Sequence, residues 1–121
     1  MYKVEGDFSC SHNNLTSLEG APSRVGGGFY CSSNSLTSLE GAPSYVGGYF
    51  NCSHNNLTSL RGAPSRVGGY FYCAFNNSLT SLEGAPSYVG GDFYCCDQEN
   101  GHRFTEEEVR AVCDVKGKIH V

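Results

Sequence analysis

The sequence predicts a solenoid, in which each coil contributes one short strand to a parallel β-sheet of about five to six strands. Two observations predict this fold. A Phe-x-Cys triplet recurs at positions 8, 29, 50, 71 and 93, so the spacings are 21, 21, 21 and 22 residues. The sequence between the triplets is nearly identical from repeat to repeat, as in NNLTSLEGAPSRVGG from Asn13 and NSLTSLEGAPSYVGG from Asn34. Because such short repeats bury their apolar side only by stacking, this period is typical of a tandem array of coils.

Each coil begins with the strand. In the second coil, Phe29 and Cys31 alternate with Gly28, Tyr30 and Ser32. Successive side chains of a strand point to opposite sides, so we expect Phe29 and Cys31 inside and the other three outside. A single Cys that recurs once per repeat beside a core Phe predicts a buried, reduced thiol and not a disulfide framework.

A polar corner and two leucines follow the strand. Asn34 stands three residues after Cys31, and Asn13, Asn55 and Asn76 hold the same phase in their coils. An inward Asn at this place can pair with backbone groups that leave the strand, so we predict a ladder of buried Asn side chains. The two leucines of each LTSL segment, such as Leu36 and Leu39, are predicted to fill the middle of the coil.

The rest of each coil is predicted to form an extended outer wall. Pro43 fixes its own backbone and favours an extended Ala42. Val46 then returns the chain to the core. The pair Gly47-Gly48 is predicted to turn the chain into the next strand with positive φ angles, which Gly adopts at little cost.

Both ends are predicted to be caps, because an array otherwise exposes its core. We divide the single domain, residues 1–121, into an N-terminal capping strand at 1–7, tandem repeats at 8–96 and a C-terminal cap at 97–121. The alternation of residues 115–121 suggests a final strand.

A helix is predicted over residues 104–113. Thr105 suits the N-cap, and Glu108 completes a capping box. Val109, Val112 and Cys113 are spaced to cover the last coil on one side of this helix.

The repeat, written LxxLxxxPxxVGGxFxCxxNxL, resembles the leucine-rich repeat, and the short Pro-containing bacterial class is the most similar. Similar GAP- and GG-containing arrays occur in tailed bacteriophages. The resemblance covers about residues 6 to 96. It implies a right-handed solenoid of the α/β class, a bacteriophage origin and a non-enzymatic role in protein–protein interaction. Phe and Cys replace two strand leucines of the family pattern, and one residue is inserted at Asn76-Asn77-Ser78, where we expect a bulge that leaves the stack intact.

The charge balance and the hydropathy of the chain exclude several kinds of partner. There are 8 basic and 12 acidic residues, for a net charge of −4. A sequence-independent nucleic-acid binder needs a basic stripe, so no nucleic-acid partner is expected. No stretch is apolar enough to span a membrane, and the start MYKVEGDFSC lacks the plan of a signal peptide. We therefore expect the cytoplasm of a host cell or a virion as the location.

Catalytic or metal chemistry is not predicted. Cys95, Cys96, Cys113 and His102 are the Cys/His set that could gather, but no CxxC pair is present. A zinc site needs about four convergent ligands, and no nucleophile has an evident base and orienting group. We therefore expect no enzyme activity, no metal and no cofactor.

The outward strand positions form two columns across the coils. The position before each Phe reads Asp7, Gly28, Tyr49, Tyr70, Asp92, and the position after it reads Ser9, Tyr30, Asn51, Tyr72, Tyr94. Tyr offers large contact area at low entropic cost and is enriched at interface hot spots. We therefore predict a binding surface for a protein, the tyrosine face, formed by Tyr30, Tyr49, Asn51, Tyr70, Tyr72, Asp92 and Tyr94.

Three alternatives to a protein-binding surface stay open. The rings could simply stack on one another and protect the sheet. They could stack on sugars, although saccharide sites usually have a pocket. The protein could also be a structural component of a virion or of a fibre that self-associates end to end.

A second set of outward residues precedes each Val. It reads Arg24, Tyr45, Arg66, Tyr88 and is called the arginine face below. Because Arg and Tyr alternate on neighbouring coils, we predict that each guanidinium stacks on a ring.

Overall fold

The computed structural model describes residues 2–76, 78–96, 98 and 102–121 and is a parallel β-solenoid of about four turns. Two six-stranded parallel sheets run along it. The valine sheet contains β1 (Lys3–Val4), β3 (Arg24–Val25), β5 (Tyr45–Val46), β7 (Arg66–Val67), β9 (Tyr88–Val89) and β11 (Asp114–Val115). The phenylalanine sheet contains β2 (Phe8–Ser9), β4 (Phe29–Tyr30), β6 (Phe50–Asn51), β8 (Phe71–Tyr72), β10 (Phe93–Tyr94) and β12 (Ile119–His120).

The solenoid and its parallel Phe-containing sheet are confirmed, whereas the valine sheet was not predicted. The outer wall is extended, as expected, but part of it pairs from coil to coil. Ser44 N donates to Ser23 O at 3.0 Å, and Gly47 N donates to Val25 O at 2.9 Å. The inward Val and the outward residue before it already have the alternation of a strand, so stacking in register is enough to form the second sheet.

The core is a set of columns that run along the solenoid. The rings of Phe8, Phe29, Phe50 and Phe71 stack with 5.4 Å between successive centroids. Phe29, Phe50, Phe71 and Phe93 are fully buried, as are the sheet valines of the inner coils and the leucines Leu36, Leu39, Leu57, Leu60 and Leu79. Identical side chains therefore pack on identical neighbours, which keeps the coils in register.

The predicted Asn ladder is present beside the phenylalanine sheet at Asn34, Asn55 and Asn76, whereas the prediction was wrong for Asn13, which is exposed because no coil lies before it. Asn55 is 3% exposed, and its Nδ2 donates to Cys31 O and Cys52 O at 3.1 Å each. Its Oδ1 accepts from Leu36 N at 3.0 Å. Asn34 and Asn76 make equivalent bonds to the coils before them. Each side chain thus ties two successive coils together.

Gln98 continues the ladder in the last coil, which was not predicted. It is 8% exposed, and its Oε1 accepts from Asn76 N at 2.7 Å. Its Nε2 donates to Cys95 O at 3.0 Å. Gln98 lies three residues after Cys95, as each Asn lies three residues after its Cys. At this position of the repeat, the longer amide side chain of Gln98 therefore makes the same kind of hydrogen bonds as the Asn residues.

The insertion before Leu79 leaves the stack intact. On either side of it, Arg66 pairs with Tyr88 and Phe71 pairs with Phe93 in register. Asn77, the middle residue of the predicted bulge, lies outside the described residues.

The glycines serve a different purpose from the one predicted. Positive φ occurs not at Gly47-Gly48 but at the Gly before Ala-Pro, where Gly41 has φ 96°. At Gly47 a Cβ atom would lie 2.3 Å from Gly26 O. Gly is needed there because successive coils approach too closely for a side chain, and the prediction of a positive-φ corner at Gly47-Gly48 was wrong.

The C-terminal cap contains the predicted helix, α1 (Glu106–Val112). Thr105 is its N-cap, and both hydrogen bonds of the capping box with Glu108 are present. Val109 and Cys113 are buried against the core. Val112 is 46% exposed, so its predicted contact with the last coil was wrong, because the side chains at 109 and 113 already occupy the inward side.

The two terminal segments extend the sheets. After α1, β11 pairs with β9, and β12 pairs with β10. At the other end, β1 pairs with β3 and β2 pairs with β4. The tail therefore supplies a strand to each sheet, not the single final strand that the alternation suggested.

Candidate functional site

The tyrosine face lies on the outer side of the phenylalanine sheet. The inward residues Phe29, Phe50, Phe71 and Phe93 are fully buried, whereas Tyr30, Tyr70, Tyr72 and Tyr94 are half-buried and Tyr49 is 44% exposed. The strand alternation that buries Phe50 and Phe71 turns their outward neighbours towards solvent. The outward position predicted for these tyrosines is therefore the position they occupy.

Four of the tyrosines form one connected aromatic cluster. Tyr49 stacks on Tyr70 with 4.9 Å between ring centroids, and Tyr72 stacks on Tyr94 at 4.6 Å. The two stacks touch, since Tyr70 lies 6.0 Å from Tyr72 and 5.9 Å from Tyr94. The cluster lies on the outer side of three neighbouring strands, β6, β8 and β10.

The other predicted residues border this cluster. The Tyr30 ring lies over Gly28, so closely that a Cβ atom there would be 2.5 Å from the Tyr30 hydroxyl oxygen. Asn51 occupies the outward column between Tyr30 and Tyr72 and accepts a hydrogen bond from Ser53 N at 3.0 Å. Tyr30 is thus set apart from the four-ring cluster by an amide that is bonded within its own coil.

Asp92 and two tail residues close the other side of the cluster. Asp92 Oδ1 accepts from Lys118 N at 2.9 Å, and Asp92 Oδ2 lies 3.1 Å from His120 Nε2. The His120 ring stacks on Tyr94 at 4.1 Å with an interplanar angle of 4°. The C-terminal strand β12 therefore extends the tyrosine face by one ring.

Neighbouring groups affect the ionisation of this face. Burial raises the pKa of Tyr72, and the adjacent Tyr94 and Tyr49 raise it further. Burial and the Asp92 carboxylate raise the pKa of Tyr94. The hydrogen bond from the Lys118 amide, followed by that from His120, holds the pKa of Asp92 below its usual value. Tyr72 and Tyr94 are therefore neutral at physiological pH, and the fixed charge lies at the border.

The arginine face has the predicted internal pairing. The guanidinium carbon of Arg24 lies 3.9 Å from the centroid of the Tyr45 ring, and that of Arg66 lies 3.9 Å from the Tyr88 ring. Each cation is already stacked on a ring of the next coil. The outer side of the valine sheet is thus engaged within the molecule.

The thiols form an inward column of low reactivity. None of the seven cysteines, all of which lie within the described residues, forms a disulfide. Burial raises the pKa of Cys31, Cys52 and Cys73 strongly, and that of Cys95 to about 12. These thiols are protonated at physiological pH and pack as small apolar side chains.

The Cys/His set considered for zinc does not form a metal centre in the described part of the chain. Cys95 and Cys113 belong to the apolar core. Among residues 2–76, 78–96, 98 and 102–121, no group of three His, Cys, Asp or Glu side chains could hold a metal ion. Nor is any helix in those ranges long and apolar enough to cross a bilayer.

Sequence reasoning missed two contributors to the face, Lys118 and His120. The sequence of the tail indicates their positions in the repeat, because Val115, Gly117 and Ile119 have the same spacing as Val89, Gly91 and Phe93. His120 then falls at the phase of Tyr94, with which it pairs in register. The repeat is hard to recognise in the tail, because the tail keeps the pattern of apolar and polar residues but not the residue identities.

Comparison of the chain with protein-family models, curated proteins and solved structures found no match.

Proposed function

We propose that this protein is a non-enzymatic interaction module that binds another protein through the tyrosine face. The observation that carries the proposal is the connected cluster of Tyr49, Tyr70, Tyr72 and Tyr94 on the outer side of one sheet. Large aromatic side chains that are already ordered lose little entropy on binding. A rigid, mostly neutral aromatic surface with a charged border has the composition of an interface core and rim.

The ring contacts favour a protein over a sugar as the ligand. Sugars bind aromatic residues by stacking on ring faces, but Tyr70 and Tyr94 have ring faces engaged by Tyr49 and by Tyr72 and His120, respectively. Tyrosine side chains combine an apolar ring with a hydroxyl group, which suits the mixed apolar and hydrogen-bonding contacts of a protein surface.

We also propose that the repeat belongs to the leucine-rich type with the short Pro-containing coil, as its pattern suggests. The inward LxxL leucines and the inward Asn after the strand support this assignment. On the same resemblance we propose a bacteriophage source and a partner that is a host or phage protein. The valine sheet and the Phe-x-Cys strand distinguish the chain from the family pattern.

Site-specific photo-cross-linking in expressing cells tests the proposed surface. A photoreactive phenylalanine analogue replaces Tyr72 in one variant and Tyr45 in a matched variant. Both sites are half-buried outward tyrosines in two-residue strands, but they lie on different sheets. We expect a discrete cross-linked protein from the Tyr72 site only, which mass spectrometry would identify.

Two results would count against the tyrosine face as the binding surface. One is a specific product from Tyr45 with none from Tyr72, which would move the interface to the valine sheet. The other is the same set of products from both sites, which would indicate non-specific contacts.

A further inference from the structure

The two sheets end in four edge strands that face opposite ways along the solenoid. The N-terminal end carries β1 and β2, and the C-terminal end carries β11 and β12. Among the described residues, each of these strands pairs with one neighbour, whereas the inner strands pair with two. An edge of parallel strands that presents free backbone groups is a template for one more strand of the same direction.

In three outward columns, the charged side chains at the two ends are opposite in sign. In the valine sheet, the column of Arg24 begins with Lys3 and ends with Asp114. Glu5, two residues after Lys3, begins the next outward column, and Lys116, two residues after Asp114, ends that column. In the phenylalanine sheet, the column that holds Asp92 begins with Asp7 and ends with Lys118.

All six of these charged side chains are exposed. Lys116 Nζ lies 3.3 Å from Asp114 Oδ2 within the C-terminal end. A second chain that continued the column would set Lys3 beside Asp114 and Glu5 beside Lys116, which gives a square of alternating charges. Edge charges that only prevent aggregation have no need to be complementary at three columns.

The inward columns are also incomplete at both ends. Phe8 and Cys10 are half-buried at the N-terminal end, although the equivalent Phe29 and Cys31 are fully buried. At the C-terminal end, Ile119 is half-buried and Val121 is 41% exposed. Ile119 has the phase of Phe8, and Val121 has the phase of Cys10, so stacking the two ends would bury each apolar residue against its own column.

From these matched columns we propose that copies of this chain associate head to tail, with β11 of one copy beside β1 of the next and β12 beside β2. The contact joins two different surfaces, so it is heterologous, and where its rotation does not close a ring it leaves a free end on every complex. Repetition of the contact continues both sheets into a filament. This association uses the ends of the solenoid and leaves the tyrosine face exposed along its side.

Helix α1 requires room in such a contact, because a helix is about twice as thick as the spacing between coils. α1 packs beside residues 80–83 of the last coil, with Ala111 and Val112 bordering a shallow depression there. At the same phase, the first coil has an apolar groove lined by residues that include Phe8, Leu15 and Leu18. The exposed Val112 of one copy is placed to enter the groove of the next.

Zero-length carbodiimide cross-linking of the purified 121-residue chain tests the contact. This reagent joins Lys to Asp or Glu side chains that touch. The two ends of one molecule are five strand spacings apart, which is about 24 Å, so a link between them must join two copies. We expect links of Lys3 to Asp114, Glu5 to Lys116 and Asp7 to Lys118. A full set of intramolecular Asp114–Lys116 links without any end-to-end link would overturn the proposal.

A charge exchange gives an independent test. One variant carries Lys3→Glu with Glu5→Lys, and the other carries Asp114→Lys with Lys116→Glu, which keeps the ion pair of that end. Either variant alone should associate at least about tenfold more weakly than the unaltered chain, because attraction at two columns becomes repulsion. An equimolar mixture should associate again, since each altered end then meets a complementary end.

Sedimentation velocity separates the outcomes of this exchange. Weak association of both variants alone with recovery in the mixture supports head-to-tail stacking and shows that both variants fold. Unchanged association of the separate variants would show that these ends do not meet. A monomeric unaltered chain at high concentration would show that α1 stops the array, and would overturn the proposal.

Discussion

The two outer faces of the solenoid are built on the same backbone but use their side chains in opposite ways. On the valine sheet, Arg24 and Arg66 stack on tyrosines of the next coil, so charge and ring are satisfied in pairs. On the phenylalanine sheet, the tyrosine rings pack on one another and remain half-buried or exposed on the outer side. The difference shows that the inward residues specify the coil, while the outward residues determine whether a face is engaged within the molecule or available to a partner.

We expect the largest effects on the free energy of unfolding from substitutions on the inward sides of the two sheets. Phe50 stacks between two other rings, whereas Val46 fills a smaller space. We expect Phe50→Ala to lower the free energy of unfolding by about 3–5 kcal/mol, and Val46→Ala by about 1.5–3 kcal/mol. Urea unfolding at equilibrium measures both. Equal losses would mean that the Phe column does not dominate the core.

Substitution of Asn55, at the corner beside the phenylalanine sheet, should lower the free energy of unfolding nearly as much. Asn55→Ala removes bonds to Cys31 O, Cys52 O and Leu36 N, and unpaired buried groups cost about 1–3 kcal/mol each unless water reaches them. We expect a loss of about 2–4 kcal/mol on that basis. The neighbouring Asn56 is exposed, so Asn56→Ala is the control and should change stability by under about 0.5 kcal/mol. A similar loss in both variants would refute the ladder.

How far the sequence anticipates this molecule depends on whether the relevant signal repeats. The phases of Phe, Cys, Asn and Leu recur in each coil, so the inward columns and the Asn ladder could be predicted. The outward position of the tyrosines follows from the same phase. The role of Gly47 could not be predicted, because it depends on how closely two coils approach, a distance that a one-dimensional pattern does not contain.

The candidate site was anticipated in part for the same reason. Tyr49, Tyr70, Tyr72 and Tyr94 share a face because the strands alternate. The contacts of Tyr70 with Tyr72 and Tyr94 of the other stack depend on side-chain directions across the sheet. His120 was missed because the tail follows a helix that interrupts the repeat. The register between β10 and β12 places His120 beside Tyr94.

A smaller effect should come from the outward stacks of the valine sheet. Arg66→Ala removes an exposed cation from the half-buried Tyr88 ring, a contact worth about 0.5–1 kcal/mol. The free energy of unfolding should fall by that amount and show little dependence on pH between 6 and 8. Arg61, which makes a long, exposed ion pair with Glu40 at 3.7 Å, provides a comparison, since Arg61→Ala should cost less.

The smallest effect concerns the border of the tyrosine face at low pH. The pKa of Asp92 is lower in the folded chain than its ordinary value of 3.8, so its ionised form stabilises the fold at pH values above 3.8. This contribution is lost as the pH falls through the lower, folded-state pKa. An NMR titration of the Asp92 carboxyl carbon and the Lys118 amide should show both moving together below pH 3.8. A titration midpoint above 3.8 would show that the Lys118 and His120 contacts do not hold in solution.

The most direct test of the contrast between the two faces is the affinity for the cross-linked partner. One variant combines Tyr49→Ser, Tyr70→Ser and Tyr72→Ser, and the control combines Tyr45→Ser with Tyr88→Ser. We expect the first variant to raise Kd at least about a hundredfold, because several hot-spot residues are lost. The control should stay within about threefold of the unaltered chain. A control that weakens binding as much as the first variant, or a first variant with unchanged Kd, would contradict this prediction.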